Sequence, residues 1–116
     1  MWDAQAIDEL TEVVVTRLLV QEETARAVAA DLARGLAASS PALPALSLAL
    51  PFALAAGSIE EMLGAGLQAR RAARDAWRIS ALIGVDALSL RQQGADTIAD
   101  LWALWQAGDE VFRAAE

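Results

Sequence analysis

LAASSPALPALSLALPFALAAGS, residues 36–58, is the stretch whose reading decides the fold. It lies in a window without charge from Gly35 to Ile59, in a chain that is charged on both sides of it. A membrane span, a core segment and a partner surface would each look like this. Ser40 followed by Pro41 is a helix-start signal, an N-cap with proline at the first helical position. Pro44 falls in the same first turn, where a missing N–H costs little. Leu43, Leu46, Leu50 and Leu54 then form one stripe, with Leu48 and Phe52 opposite. A segment apolar on all sides is buried in protein or in lipid, and Pro51 is expected to kink or break it. The 17 residues from Pro41 to Gly57 make about 25 Å of helix, short of a roughly 30 Å hydrocarbon core. The favoured reading is a kinked apolar segment over 41–56, enclosed by its neighbouring helices and a second subunit. Contact with a membrane through 36–57 is the alternative.

On the amino-terminal side, Ile7, Leu10, Val14, Leu18, Ala25, Val28, Leu32 and Leu36 keep one face at about 100° per residue. Asp3 is the expected N-cap. The pattern predicts a helix over 4–38, about 50 Å long if unbroken, longer than a compact 116-residue globule needs. Gln21, in the apolar seam, marks a break or a register-setting polar contact. On the carboxyl side, Ser58-Ile59-Glu60-Glu61 has the form of a capping box and predicts an arginine-bearing helix over 59–83. Gly84-Val85-Asp86 and Gly94-Ala95-Asp96 each read as a terminating glycine followed by an aspartate N-cap. They predict a short helix over 86–93 and a tryptophan-rich one over 96–115, which Gly108 is expected to end early.

The run LRQQGADTIADL, Leu90 to Leu101, resembles the second half of a helix-hairpin-helix element, with its Leu-x-x-x-Gly-x-x-Thr-x-x-Asp-Leu spacing. The first half departs from that pattern, because Asp86 stands where the hairpin's second glycine belongs. The resemblance therefore implies a helix–turn–helix packing arrangement and does not carry DNA binding with it.

Four arginines, Arg70, Arg71, Arg74 and Arg78, crowd the 59–83 segment, and those at 70, 74 and 78 stack along one side. In a helix starting near Ile59, Arg70 falls about 20° from Ile59, on the apolar face. There it requires a carboxylate or another anion. Salt bridging to acids of the first helix or of a neighbouring subunit is the leading expectation, ahead of an anionic ligand. Aromatic and aliphatic residues near the termini, Trp2, Trp102, Trp105 and Phe112, join Leu50 and Phe52 as candidate interface positions.

Composition narrows the function. Apolar residues make up 56% of the chain, above the roughly 45–50% of soluble proteins, and much of the excess is helix-favouring alanine and leucine. The fold class expected is all-α, one domain over 1–116. It is a small bundle of four to five helices with one long amino-terminal helix, completed by oligomerisation. The chain has no His, Cys, Lys, Tyr or Asn, which removes imidazole bases, thiol chemistry and ordinary zinc sites. No phosphate-binding loop or nucleophile elbow is present. No catalytic residue, cofactor or metal site is expected; carboxylate pairs such as Asp8 with Glu12 are the only conceivable metal ligands. A net charge of −7 argues against nucleic acid as a partner, and the acidic amino terminus against a signal peptide, pointing to a cytoplasmic chain. The expected function is a non-catalytic protein–protein interaction module, a homo-oligomer or a small subunit or adaptor of a larger assembly. The alternatives are a membrane-associated subunit and a bundle holding an apolar acid against Arg70.

Overall fold

The computed structural model describes residues 2–62 and 66–108, and among them every regular element is helical. Five α-helices run α1 (Ala4–Leu19), α2 (Ala25–Ser39), α3 (Ala49–Glu60), α4 (Leu67–Gln92) and α5 (Ile98–Gln106), with a 3-10 turn over Ala45–Leu48 leading into α3. The radius of gyration is 13.6 Å, close to the roughly 13 Å of a compact domain this size.

The single helix expected over 4–38 is two helices. Asp3 caps α1 as its spacing predicts, accepting from the Ala6 N–H at 2.9 Å, but the helix ends at Leu19. Glu22 takes φ 56°, the left-handed region. Thr24 then starts α2, its hydroxyl accepting from the Ala27 N–H at 3.1 Å. The break has a packing cause. α1 lies chiefly against α3, and α2 chiefly against α5, directions that one straight helix could not serve together. The apolar stripe survives, since Val14, Leu18, Ala25 and Val28 are all buried. Of Gln21's two expected roles, the structure takes the break.

The 41–56 segment is not a helix kinked by Pro51. Ser40 to Pro44 is irregular, and Pro51 is the third residue of α3, where no intrahelical partner exists for an N–H and proline fits without distortion. Ser58 lies inside α3 rather than capping a new helix. Phe52 and Leu48 are fully buried with Ala55, Ala56 and Ile59, whereas Leu46, Leu50 and Leu54 stay 45–55% exposed.

Nor do the helices predicted over 59–83 and 86–93 exist as two. α4 begins at Leu67 and continues through Gly84 and Asp86 for 26 residues, about 39 Å. An interior glycine costs only about 1 kcal/mol, and burial of Ile79, Ile83, Ala87 and Leu90 on both sides of Gly84 outweighs it. Asp86 is no N-cap; it is buried, and its Oδ2 accepts the Trp105 indole N–H at 2.9 Å.

Gly94 ends α4 as expected, at φ 78°, with the Ala95 N–H donating to the Leu90 carbonyl at 2.9 Å. The next cap is Thr97 rather than Asp96. It forms a reciprocal capping box with Asp100, so α5 starts at Ile98. The Leu90–Leu101 run is accordingly a helix–turn–helix corner with Leu90, Ile98 and Leu101 buried. The Asp96 carbonyl instead accepts from the Ala45 N–H at 2.6 Å, and the Ile98 N–H donates to Leu43 at 2.7 Å. These bonds pin the irregular 41–45 segment to the α4–α5 corner. α5 ends at Gln106, and Gly108 follows at φ 94°. The rest of the predicted 96–115 helix, with Phe112, lies outside the described residues.

Among the described residues no helix is long and apolar enough to cross a membrane. The uncharged window is shared between α2, an irregular segment, a 3-10 turn and α3.

Candidate interaction surface

α3 and α4 pack antiparallel. The Ser80 hydroxyl donates to the Ala49 carbonyl at 3.0 Å near the start of α3, and the Trp77 indole N–H donates to Glu60 Oε1 at 2.6 Å near its end. Small side chains let the two helices close on each other: Ala55 and Ala56 on α3, Ala69, Ala73 and Ala76 on α4, all buried.

The outward side of this pair carries the large apolar residues that the core does not take. Leu50 and Leu54 are four apart and continue the line of Leu46; Trp77, Val85 and Leu88 recur at helical spacing along α4. Their exposures run from 44% for Trp77 to 59% for Leu88. Leu46 and Leu88 line one apolar groove together with Pro44, Gly84, Ala87, Arg91 and Asp96, so the 3-10 turn and α4 join their exposed leucines at that end. At the other end an open groove of about 450 Å³ is bounded by Ile59, Glu60, Met62, Arg70, Arg74 and Trp77. A solvated helix pair would carry polar residues there.

The arginines stand at the margin of this face. Arg70 is exposed, which corrects its placement on the buried side: α4 starts at Leu67, so the phase counted from Ile59 does not carry through. Among the described residues neither Arg70 nor Arg71 makes an ion pair, while Arg74 lies 3.7 Å from its neighbour Asp75. Arg71 faces the other way, toward Leu18, Glu22 and Glu23. Arg78 is exposed on the same helix.

The remaining interface candidates divide. Leu50 belongs to the exposed face. Phe52 and Trp105 are core residues, at 0% and 7% exposure; Phe52 sits on the inner side of α3, and Trp105 is turned inward by its bond to Asp86. Trp2 and Trp102 are half-buried. The structure thus brings Arg70 and Arg74 to one groove, leaves Leu50 exposed on α3, and packs Phe52, Trp102 and Trp105 into or against the core. Periodicity had already paired Leu46 with Leu50 and Leu54, but Trp77, Val85 and Leu88 were missed. Val85 and Leu88 fell beyond the helix end expected at Gly84, which α4 runs through.

A second cluster is structural. Arg17 grips Glu23 through two bonds, Nε to Oε2 at 2.7 Å and Nη2 to Oε1 at 2.5 Å, and reaches Asp31 at 2.7 Å. Arg34 meets the other oxygen of Asp31 at 3.2 Å. Glu23 is held below its ordinary pKa by the hydrogen bond from Arg17, and Arg17 is pushed further up by its bonds to Glu23 and Asp31. The four groups form one ion-pair network that ties the end of α1 to α2. Among the described residues no three acidic side chains gather as metal ligands.

In comparisons with known proteins, no family model, curated protein or solved structure matched the chain.

Proposed function

We propose that this chain is a non-catalytic helical module that acts through protein–protein contact at the outer face of α3 and α4. The observation that carries the reading is the set of half-exposed Leu46, Leu50, Leu54, Trp77, Val85 and Leu88 on the 3-10 turn, α3 and α4. Together they leave roughly 500 Å² of apolar side chain in water, at the upper end of what a monomer's largest patch presents. The absence of histidine, cysteine and lysine supports a role in binding rather than catalysis. Native mass spectrometry of the untagged protein from its source tests this. The expected result is a complex of defined stoichiometry; a ligand-free monomer would contradict it.

A second reading rests on the groove beside Arg70. Ile59, Met62, Ala73 and Trp77 give it apolar wall, and the guanidiniums of Arg70 and Arg74 outnumber its one carboxylate, Glu60, which already binds the Trp77 indole; an apolar carboxylic acid would use both features. The same spectra check it, through added mass that disappears in Arg70→Ala.

A further inference from the structure

Resting on the protein-contact reading, we propose that the occupant of the α3/α4 face is a second copy of this chain. The two copies would be related by a twofold axis parallel to the helices, so that each α3 lies on the partner's α4. The result is an antiparallel four-helix arrangement in which every neighbour runs in the opposite direction, the usual solution for helix pairs with one spare apolar face.

Charge placement argues for this occupant. On α3, Leu50, Leu54, Gly57 and Glu61 follow one outward line, at spacings of four, three and four. On α4, Arg70, Arg74, Trp77, Ala81, Val85 and Leu88 do the same. Ile59 shares a groove with Ala69 and Ala73, and Leu46 shares one with Leu88, which fixes the relative heights of the two lines. A twofold axis along the helices preserves height. The partner's Glu61 then comes over Arg70, its Gly57 and Leu54 over Arg74 and Trp77, its Leu50 over Ala81, level with the Ser80–Ala49 bond, and its Leu46 over Val85 and Leu88. At the far end Arg91 and Asp96, which line the same groove, exchange partners in the same way. Each end therefore offers both a cation and an anion, at positions that the symmetry pairs. An axis perpendicular to the helices would instead set Arg70 and Arg74 against the partner's Arg91.

Area agrees. A standard interface buries about 800 Å² per partner, a little over half of it apolar, and the roughly 500 Å² of exposed apolar side chain on this face matches that share. Ala53, Gly57, Ala81 and Gly84 are small and sit among the large residues, and a Cβ placed on Gly57 or Gly84 meets nothing within 4 Å in the single chain.

Sedimentation equilibrium of the full chain at micromolar concentration tests the proposal, with circular dichroism to confirm that each variant is folded. The wild type is expected to be a dimer. Leu50→Asp, at a half-exposed position that the fold tolerates, is expected to weaken it about a hundred-fold or more. Arg70→Glu and Glu61→Arg are each expected to weaken it about ten-fold, the surface pair occurring twice per dimer, and the double variant to recover most of the loss. A wild-type monomer at 100-fold higher concentration, or a dimer indifferent to Leu50→Asp and to both charge reversals, would overturn the proposal. A complex with a different protein that Leu50→Asp dissolves would overturn it too, while leaving the protein-contact reading standing; a folded monomer without any complex would remove both.

Discussion

Glu22 and Gly94 both take positive φ, at 56° and 78°, yet only one of them is glycine. A side chain in the left-handed region costs roughly 1 kcal/mol, and Glu22 bears that cost in order to end α1 five residues before α2 begins. Glu22→Gly is therefore expected to raise the stability by about 0.5–1 kcal/mol in chemical denaturation. Gly94→Ala should lower it by a similar amount, through backbone strain alone, since no atom lies within 4 Å of the added Cβ. Trp105 makes a different residue-scale point. Its N–H bond to the buried Asp86 joins α5 to the C-terminal half of α4, and Trp105→Phe, which stays aromatic but removes the donor and the indole's second ring, should cost about 1–3 kcal/mol or more. Asp86 looked like a helix cap because Gly-x-Asp is a common boundary. Nothing in the local sequence shows that its acceptor is claimed from nineteen residues away.

At the scale of the elements, the first apolar stripe and the Gly94 boundary were legible, while the α1–α2 break and the continuity of α4 were not. The α1–α2 stripe reads as one helix because Leu18 and Ala25 are seven apart and face the same core across the turn. What opens the turn is tertiary: α3 and α5 lie in different directions, and Arg17 binds Glu23 and Asp31 across the gap. That clamp has a pH signature. The Arg17 bond holds Glu23 below its ordinary value near 4.5, so its contribution is fully present above pH 4.5 and is lost as the pH falls through the lower, folded-state value. Glu23→Gln should flatten the acid limb of the stability profile and leave the difference from wild type constant above it. Gly84 is the converse case, a boundary signal inside an unbroken helix. With open space around its Cβ position, Gly84→Ala should raise the stability of the dissociated chain by about 0.5–1 kcal/mol. A fall would mean that α4 is broken there.

For the molecule as a whole, composition alone indicated an all-α fold, and the list of missing side chains narrowed the chemistry. The face that now stands out was hidden by the quality that made residues 36–58 conspicuous. A segment apolar on every side does not reveal which side the core takes, and here Leu48 and Phe52 turn inward while Leu46, Leu50 and Leu54 remain at the surface. The arginines on α4 drew notice for their number, but their position on one side with Leu88 depends on α4 running unbroken through Gly84. Hydroxyl-radical footprinting of the assembled protein, compared with the diluted chain, tests the claim that this face makes the contact. Leu46, Leu50, Leu54, Trp77 and Leu88 should lose reactivity together on assembly, while Val20 and Leu67, more exposed still in the single chain, should keep theirs. Unchanged reactivity on the α3/α4 face, with protection appearing elsewhere, would contradict it.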